Sequence, residues 1–286
     1  MHVPVMPEET LDLLAIRPDG VYLDCTTGMG GHTALIAQRA PRGTVIANDR
    51  DAESLRLAAT NTAELKDRIC FHLGAFGSLA EAVEQAGFEK VDGLLADTGV
   101  SRYQLTSAHR GFSFMADGPL DMRMEQSGGR TAADLVNHTD EKTLADLIYQ
   151  LGGERRARRI ARAIVRARPL RSTLHLADVV ERAVPRTGRL HPATKTFMAL
   201  RIAVNDEPGE LAKLLDIGPG LVKSGGRMVV ISFMSSDDKQ VKDRFKSLAQ
   251  EGRAKLLTKH PLEPTEEEVS RNPAARSAKL RAIEII

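Results

Sequence analysis

Apolar positions in the first hundred residues alternate between two patterns. Short continuous apolar runs at 21–25, 44–48, 68–73 and 91–97 are bounded by turn residues, as buried strands are. Between them, stretches at 31–40, 51–65 and 78–86 carry the three- to four-residue spacing of amphipathic helices. Pro41-Arg42-Gly43 ends the first of these helices, and Asp51 is placed to cap the second. Strand alternating with helix predicts a parallel sheet covered on both faces.

That alternation stops after residue 97. The next buried-strand pattern is 227–233, and the 129 residues of 98–226 far exceed the roughly 30 of a strand-helix-strand unit. The surplus predicts an inserted, mainly helical domain with helices at 132–136, 141–151, 154–166 and 174–183, and turns at Gly128-Gly129, Gly152-Gly153 and Pro185. Helices near 210–215 and 239–250 then flank the fifth strand, and 254–258 and 279–285 supply two final strands. The expected fold class is α/β, a doubly wound and mostly parallel sheet with an inserted helical domain. Residues 1–106 and 206–286 are expected to form the sheet domain and 107–205 the insert.

Composition narrows the class without naming a function. The chain has 286 residues, 42% hydrophobic and 27% charged, the balance of a soluble globular protein rather than a disordered or fibrous one. Its longest apolar run, 228–234, is broken by Ser232 and falls short of the ~20 residues that a membrane helix requires. The start, MHVPVMPEETLDLL, has neither a basic leader nor an unbroken apolar segment. No membrane partner and a cytoplasmic location are therefore expected. Cys25 and Cys70 sit in strand-like stretches without metal or redox spacing and are expected to be buried thiols. No histidine or carboxylate pair has ligand spacing, so no metal is expected. A net charge of +2 leaves any affinity for nucleic acid to local clustering.

Two clusters supply candidate chemistry. The segment Asp24-Cys25-Thr26-Thr27-Gly28-Met29-Gly30-Gly31-His32 joins a strand to a helix, and glycines there allow close approach to a ligand. Asp49 ends the second strand 21 residues after Gly28, where a carboxylate accepts hydrogen bonds from ribose hydroxyls. A dinucleotide fingerprint needs a third glycine where Thr33 stands, so a nucleoside without a pyrophosphate, S-adenosylmethionine above all, is favoured over a nicotinamide dinucleotide. Phe76 follows the third strand; alone it reads as core, and beside such a pocket as a neighbour of adenine. In the insert, eight arginines crowd 155–171, with no acid among them. On a helix, Arg155, Arg159, Arg162 and Arg166 form one rail opposite an apolar face of Ala157, Ile160, Ala161 and Ile164. Guanidinium forks suit phosphates and stack on bases, which points to RNA, the alternative being an ordinary solvated face.

From Asp97 the chain reads DTGVSRYQLTSAHRGFSFMADGPLDMRM, and later HPATKTFMALRIAVNDE, GGRMVVISF and NPAARSAKL. With HVPVMPEE, GMGGH, NDRD and GGERRARRIARAIV, these motifs resemble, over nearly the whole chain, the bacterial S-adenosylmethionine-dependent 16S ribosomal RNA (cytosine-N4)-methyltransferases. The resemblance implies a methyltransferase fold with a helical substrate domain after the fourth strand. It implies cofactor contacts at Gly30, Gly31, His32, Asp49, Phe76, Asp97 and Gln104, and 16S ribosomal RNA or the small ribosomal subunit as partner. The oligomeric state is left open. Asp97 is also the candidate catalytic acceptor for the cytosine amine, with Asp121 second to it unless an arginine such as Arg123 pairs with it; His191 is either a cap or an RNA contact. The family usually carries histidine where Met234 stands, so a nonenzymatic RNA-binding or assembly factor is the alternative.

Overall fold

A computed structural model describes residues 4–186 and 188–286; Met1 to Val3, and with them the first residues of the HVPVMPEE motif, lie outside the described residues, as does Thr187. The chain divides into two compact units, 1–99 with 208–286, and 100–207. The expected divisions fell at 106/107 and 205/206.

The first unit begins with helix α1 (Pro7–Leu14) and then alternates β1 (Val21–Asp24), α2 (Gly31–Arg39), β2 (Thr44–Asp49), α3 (Ala52–Asn61), β3 (Ile69–Leu73), α4 (Leu79–Gln85) and β4 (Val91–Asp97). The second unit holds α5 (Arg102–Thr106), α6 (Ala132–His138), α7 (Glu141–Gly152), α8 (Ala157–Ala167), α9 (Thr173–Ala183) and α10 (Thr194–Asn205). The chain then runs through α11 (Glu207–Leu221), β5 (Val222–Ser232), α12 (Ser235–Gln250), β6 (Ala254–Leu256), α13 (Glu266–Arg271) and β7 (Lys279–Ile285).

The seven strands form one sheet in the order β3-β2-β1-β4-β5-β7-β6. The first five run parallel, and β7 is antiparallel to both β5 and β6. Successive strand residues point to opposite faces, and the packing follows that alternation. Leu23, Ile46, Leu94, Ala96, Met228 and Val230 pack in one cluster with Leu79 of α4, Leu214 of α11 and Phe245 of α12. Tyr22, Val45, Ala47, Leu95, Val229 and Ile231 pack in another with Leu11 of α1 and Ile36 of α2. All four residues of β1 are buried, as a central strand covered on both faces requires.

Several expectations need correction. Cys25 is buried, but Cys70 is exposed, because β3 is an edge strand and only Ile69 of its five residues is buried. β5 starts at Val222, five residues before the expected strand: Val222 pairs with Val91, and a register shift precedes the Gly93–Arg227 pairing. The third helical stretch of the insert begins at Ala157 rather than 154, so Arg155 lies in the turn before α8. Helix α10 has no counterpart among the expected helices; its apolar residues sit on several faces, and Phe197, Ala199, Leu200 and Ile202 are all buried.

In the second unit the apolar faces of α6 to α10 meet in one core, with Leu144, Ile148, Ile160, Ile164, Leu176, Val180 and Leu200 at its centre. The RGFSF…DMRM segment is built in by polar contacts. Arg110 is fully buried and donates through Nη2 to the carbonyls of Arg123 (2.9 Å) and Met124 (3.1 Å). Asn205 accepts from the Met124 amide and donates to the Met122 carbonyl, each at 2.8 Å. Among the described residues no helix is long and apolar enough to cross a membrane.

Candidate functional site

Three carboxylates stand at the carboxyl ends of neighbouring parallel strands: Asp24 on β1, Asp49 on β2 and Asp97 on β4. In an open parallel sheet that rim is where ligands bind. Asp24 is fully buried. Its Oδ2 accepts from the Thr33 hydroxyl at 2.6 Å and its Oδ1 from the Thr26 amide at 3.1 Å. Thr33, the residue that replaces a third glycine, thereby ties α2 to the end of β1. Loss of water pushes Asp24 up to about 6, partly offset by these two threonines.

Asp49 accepts the Gly28 amide on Oδ2 at 2.8 Å and the Asp51 amide on Oδ1 at 2.9 Å. The carboxylate therefore braces both the glycine turn and the start of α3, where Asp51 caps the helix through the Glu53 amide. Burial raises Asp49 to about 6 against those two hydrogen bonds, with Asp51 and Asp24 adding repulsion. Asn48 beside it holds three strand ends together. Its side-chain amide donates to the carbonyls of Cys25 (3.2 Å) and Gly74 (3.0 Å), and its backbone carbonyl accepts from the Thr27 amide at 3.0 Å.

Asp97 is the most perturbed of the three. Desolvation, reinforced by the nearby Asp24 charge, drives it up to about 8. Its backbone amide donates to Thr26 Oγ1 at 2.6 Å. Its Oδ1 is buried with no hydrogen-bond partner among the described residues, while Oδ2 lies 3.8 Å from His32 Nδ1. A buried carboxylate oxygen with an unfilled acceptor position favours a donor-bearing, positively charged ligand.

The loop between β1 and α2 shapes the same rim. Gly30 has φ +86°, and a Cβ there would meet Thr62 at 3.0 Å and Ala58 at 3.3 Å. The position demands glycine on both conformation and space. Gly31 opens α2, followed by buried His32. Phe76 starts a short turn after β3, its amide donating to Glu210 Oε2 at 3.2 Å while its ring packs partly against the sheet core. Gln104 belongs to the second unit, where it is buried and closes a capping box with Ser101 at the start of α5.

The other candidates have structural partners. Asp121 grips Arg123 with two contacts of 2.8 Å, which holds its carboxyl below the usual range despite burial. His191 stacks on Phe114 at 4.7 Å, accepts from the Ala193 amide and lies 3.5 Å from Glu181. Met234 occupies the position just before α12, its carbonyl accepting the Asp238 amide. Among the described residues no cluster of histidines, cysteines and carboxylates could hold a metal ion. Sequence reasoning passed over Asp24, Thr26 and Asn48. A carboxylate closing the first strand directly before a glycine turn was the available signal for Asp24; the roles of Thr26 and Asn48 depend on three-dimensional neighbours.

The second unit carries the opposite charge. Arg155, Arg158, Arg159, Arg162, Arg166 and Arg171 are exposed around α8. Arg162 is drawn to Glu141 at 3.3 Å, with both side chains still largely in solvent. Arg156 and Arg168 instead spend donors on backbone carbonyls, Arg156 on Pro185 and Arg168 on Val136 and Thr139.

A sheet of order β3-β2-β1-β4-β5-β7-β6 with one reversed strand, a glycine turn after β1 and an acid ending β2, is the architecture of the class I S-adenosylmethionine-dependent methyltransferases. The chain belongs to the MraW methylase family, whose model matches residues 1–286. It is 77% identical over 285 residues, the full length of both chains, to the ribosomal RNA small subunit methyltransferase H of Solibacter usitatus (strain Ellin6076). Proteins of the same name from Acidobacterium capsulatum and Koribacter versatilis are 50% and 49% identical, over 99% and 98% of this chain and 98% and 93% of theirs.

Proposed function

We propose that the protein transfers a methyl group from S-adenosylmethionine to the exocyclic amino nitrogen of a cytosine in small-subunit ribosomal RNA, in the cytoplasm. The carrying observation is the set of three desolvated carboxylates at one sheet rim, with Asp97 Oδ1 lacking a donor among the described residues. Such a rim attracts a nucleoside bearing positive charge and repels the pyrophosphate of a dinucleotide. Full-length identity to ribosomal RNA small subunit methyltransferases supports the substrate class.

In this reading Asp49 accepts from the ribose hydroxyls, Gly30, Gly31 and His32 take the amino-acid portion, and Phe76 lies beside the adenine. When bound, S-adenosylmethionine supplies a methyl group made electrophilic by its sulfonium. The chain itself must orient a weak nucleophile, since the lone pair of a cytosine amine is delocalised into its ring. In its ionised form Asp97 accepts a hydrogen bond from that amine, localises the lone pair, and takes the proton released as the nitrogen gains the methyl group and the sulfonium carbon–sulfur bond breaks. Holding two reactants in an in-line pose is worth about 7 to 11 kcal/mol of barrier, which makes alignment the larger contribution. The exposed arginines Arg155, Arg159, Arg162 and Arg166 hold RNA phosphates, and the target base is taken unstacked.

Incubation with methyl-labelled cofactor and small subunits lacking the modification tests the proposal. Label in N4-methylcytidine after nuclease digestion is the expected result; bound cofactor without transfer to cytosine overturns the catalytic reading.

A further inference from the structure

His32 is 6% exposed, and its ring orientation is set by a segment distant in sequence. Its Nε2 lies 2.9 Å from the Val5 carbonyl. A carbonyl only accepts, so Nε2 must carry a proton, while Nδ1 lies 3.8 Å from Asp97 Oδ2. Val5 belongs to a strap, residues 4–6, laid over the glycine turn. A Cβ built on Gly31 would come within 3.3 to 3.5 Å of the Pro4 ring, and Val5 and Met6 are both buried.

The strap is held in a conformation the chain would not choose alone. Met6 has φ 49° and ψ 52°, a left-handed backbone that L side chains with a Cβ disfavour. Its amide is fastened at 2.6 Å to Glu268 Oε1. Glu268 lies in α13, which has no buried residue, so its carboxylate is a lateral tether rather than part of the packed core. Tether, strap, imidazole and Asp97 form one chain of contacts.

We propose that Glu268 and the Val5 carbonyl are positioning groups of the cofactor pocket: Glu268 pins Met6, the strap presents the Val5 carbonyl, and that carbonyl fixes the tautomer and aim of His32. The inference rests on the reading that the glycine turn and His32 receive the cofactor. Without the tether, Met6 relaxes toward ordinary backbone angles and the His32 ring loses its fixed proton.

The test compares wild type, Glu268→Ala, Glu268→Gln and His32→Ala. Imidazole nitrogen-15 shifts of the cofactor-free protein read the tautomer; calorimetric titration with S-adenosylmethionine reads affinity. Wild type should show His32 almost wholly protonated on Nε2. Glu268→Ala should populate both tautomers and weaken affinity by about tenfold, the loss of one hydrogen bond to a charged acceptor. Glu268→Gln keeps an acceptor oxygen and should restore both readouts to near wild type, a rescue that general destabilisation does not give. An unchanged tautomer and affinity in Glu268→Ala overturns the inference, as does failure of Gln to rescue. A shifted tautomer in Glu268→Ala with affinity unaffected there and in His32→Ala overturns the positioning role by a different route: the tether stands, and the assignment of this pocket to the cofactor falls.

Discussion

The two units use charge in opposite ways. In the sheet unit the informative groups are acids withdrawn from water, Asp24 fully and Asp49 and Asp97 in part: desolvation raises them to about 6, about 6 and about 8. In the helical unit they are arginines left in water along α8, above an apolar face of Ala157, Ile160, Ala161 and Ile164 that is fully packed. A desolvated carboxylate acts over a few ångströms and discriminates between small ligands; a solvated guanidinium acts at long range, subject to salt, and suits a polyanion. The contrast teaches that one chain can hold a cationic nucleoside and an anionic polymer with a net charge of only +2, provided the two charge populations differ in solvation.

If the acids do the chemistry, the largest effect belongs to Asp97. Asp97→Asn should lower the methyl-transfer rate by about 10² to 10⁴, the range for a lost general base, and should also weaken affinity for the cationic cofactor. Single-turnover kinetics at saturating cofactor checks this, and a rate within threefold of wild type removes Asp97 from the reaction. For the arginines, replacing Arg155, Arg159, Arg162 and Arg166 together by alanine should flatten the dependence of log affinity for RNA on log salt by up to about 3, at roughly 0.7 to 0.9 per phosphate contact. Cofactor affinity should be untouched. Filter binding across a salt series reads the slope.

The pH response separates the two populations further. Each of the three acids has a folded-state pKa above its unfolded value, so the native state holds more protons between the two values. Stability is greatest near and below pH 4 on this account and is lost as pH rises toward about 6 for Asp24 and Asp49 and about 8 for Asp97. The cofactor-free protein should melt a few degrees lower at pH 8.5 than at pH 5.5, and Asp97→Asn should lessen that drop. Affinity for the cationic cofactor should run the other way, rising over the same interval as the carboxylates ionise. The smallest effect is expected for Glu141→Ala, which frees Arg162 from a solvent-exposed pair worth at most about 1 kcal/mol; RNA affinity should rise no more than about twofold.

Much of the sheet unit was legible because its signals are local. Strand β4 has the bounds its apolar run predicts, and Asp51 caps α3 as its position before an amphipathic stretch implies. The insert was legible as a surplus of chain, and four of its helices from their periodicity, but α10 was not. A helix buried on several sides loses the amphipathic contrast that reveals one. The start of α8 was misplaced because Glu154 and Arg155 fit the helical phase, yet a turn intervenes before Ala157. At the site, Asp49 and the glycines were readable as a strand-end motif. The partnership of Thr33 with Asp24, the strand-end bonds of Asn48 and the reach of Glu268 to Met6 were not, since they join residues up to 262 positions apart.

Calorimetric titration of Asp49→Ala and Asp49→Asn with S-adenosylmethionine, beside wild type, tests the central claim most directly. A half-buried carboxylate that holds ribose hydroxyls should be worth about 1.5 to 3 kcal/mol. The alanine variant should therefore bind about ten- to a hundredfold more weakly, with the asparagine variant between the two. Undiminished affinity in a folded Asp49→Ala protein would contradict the account.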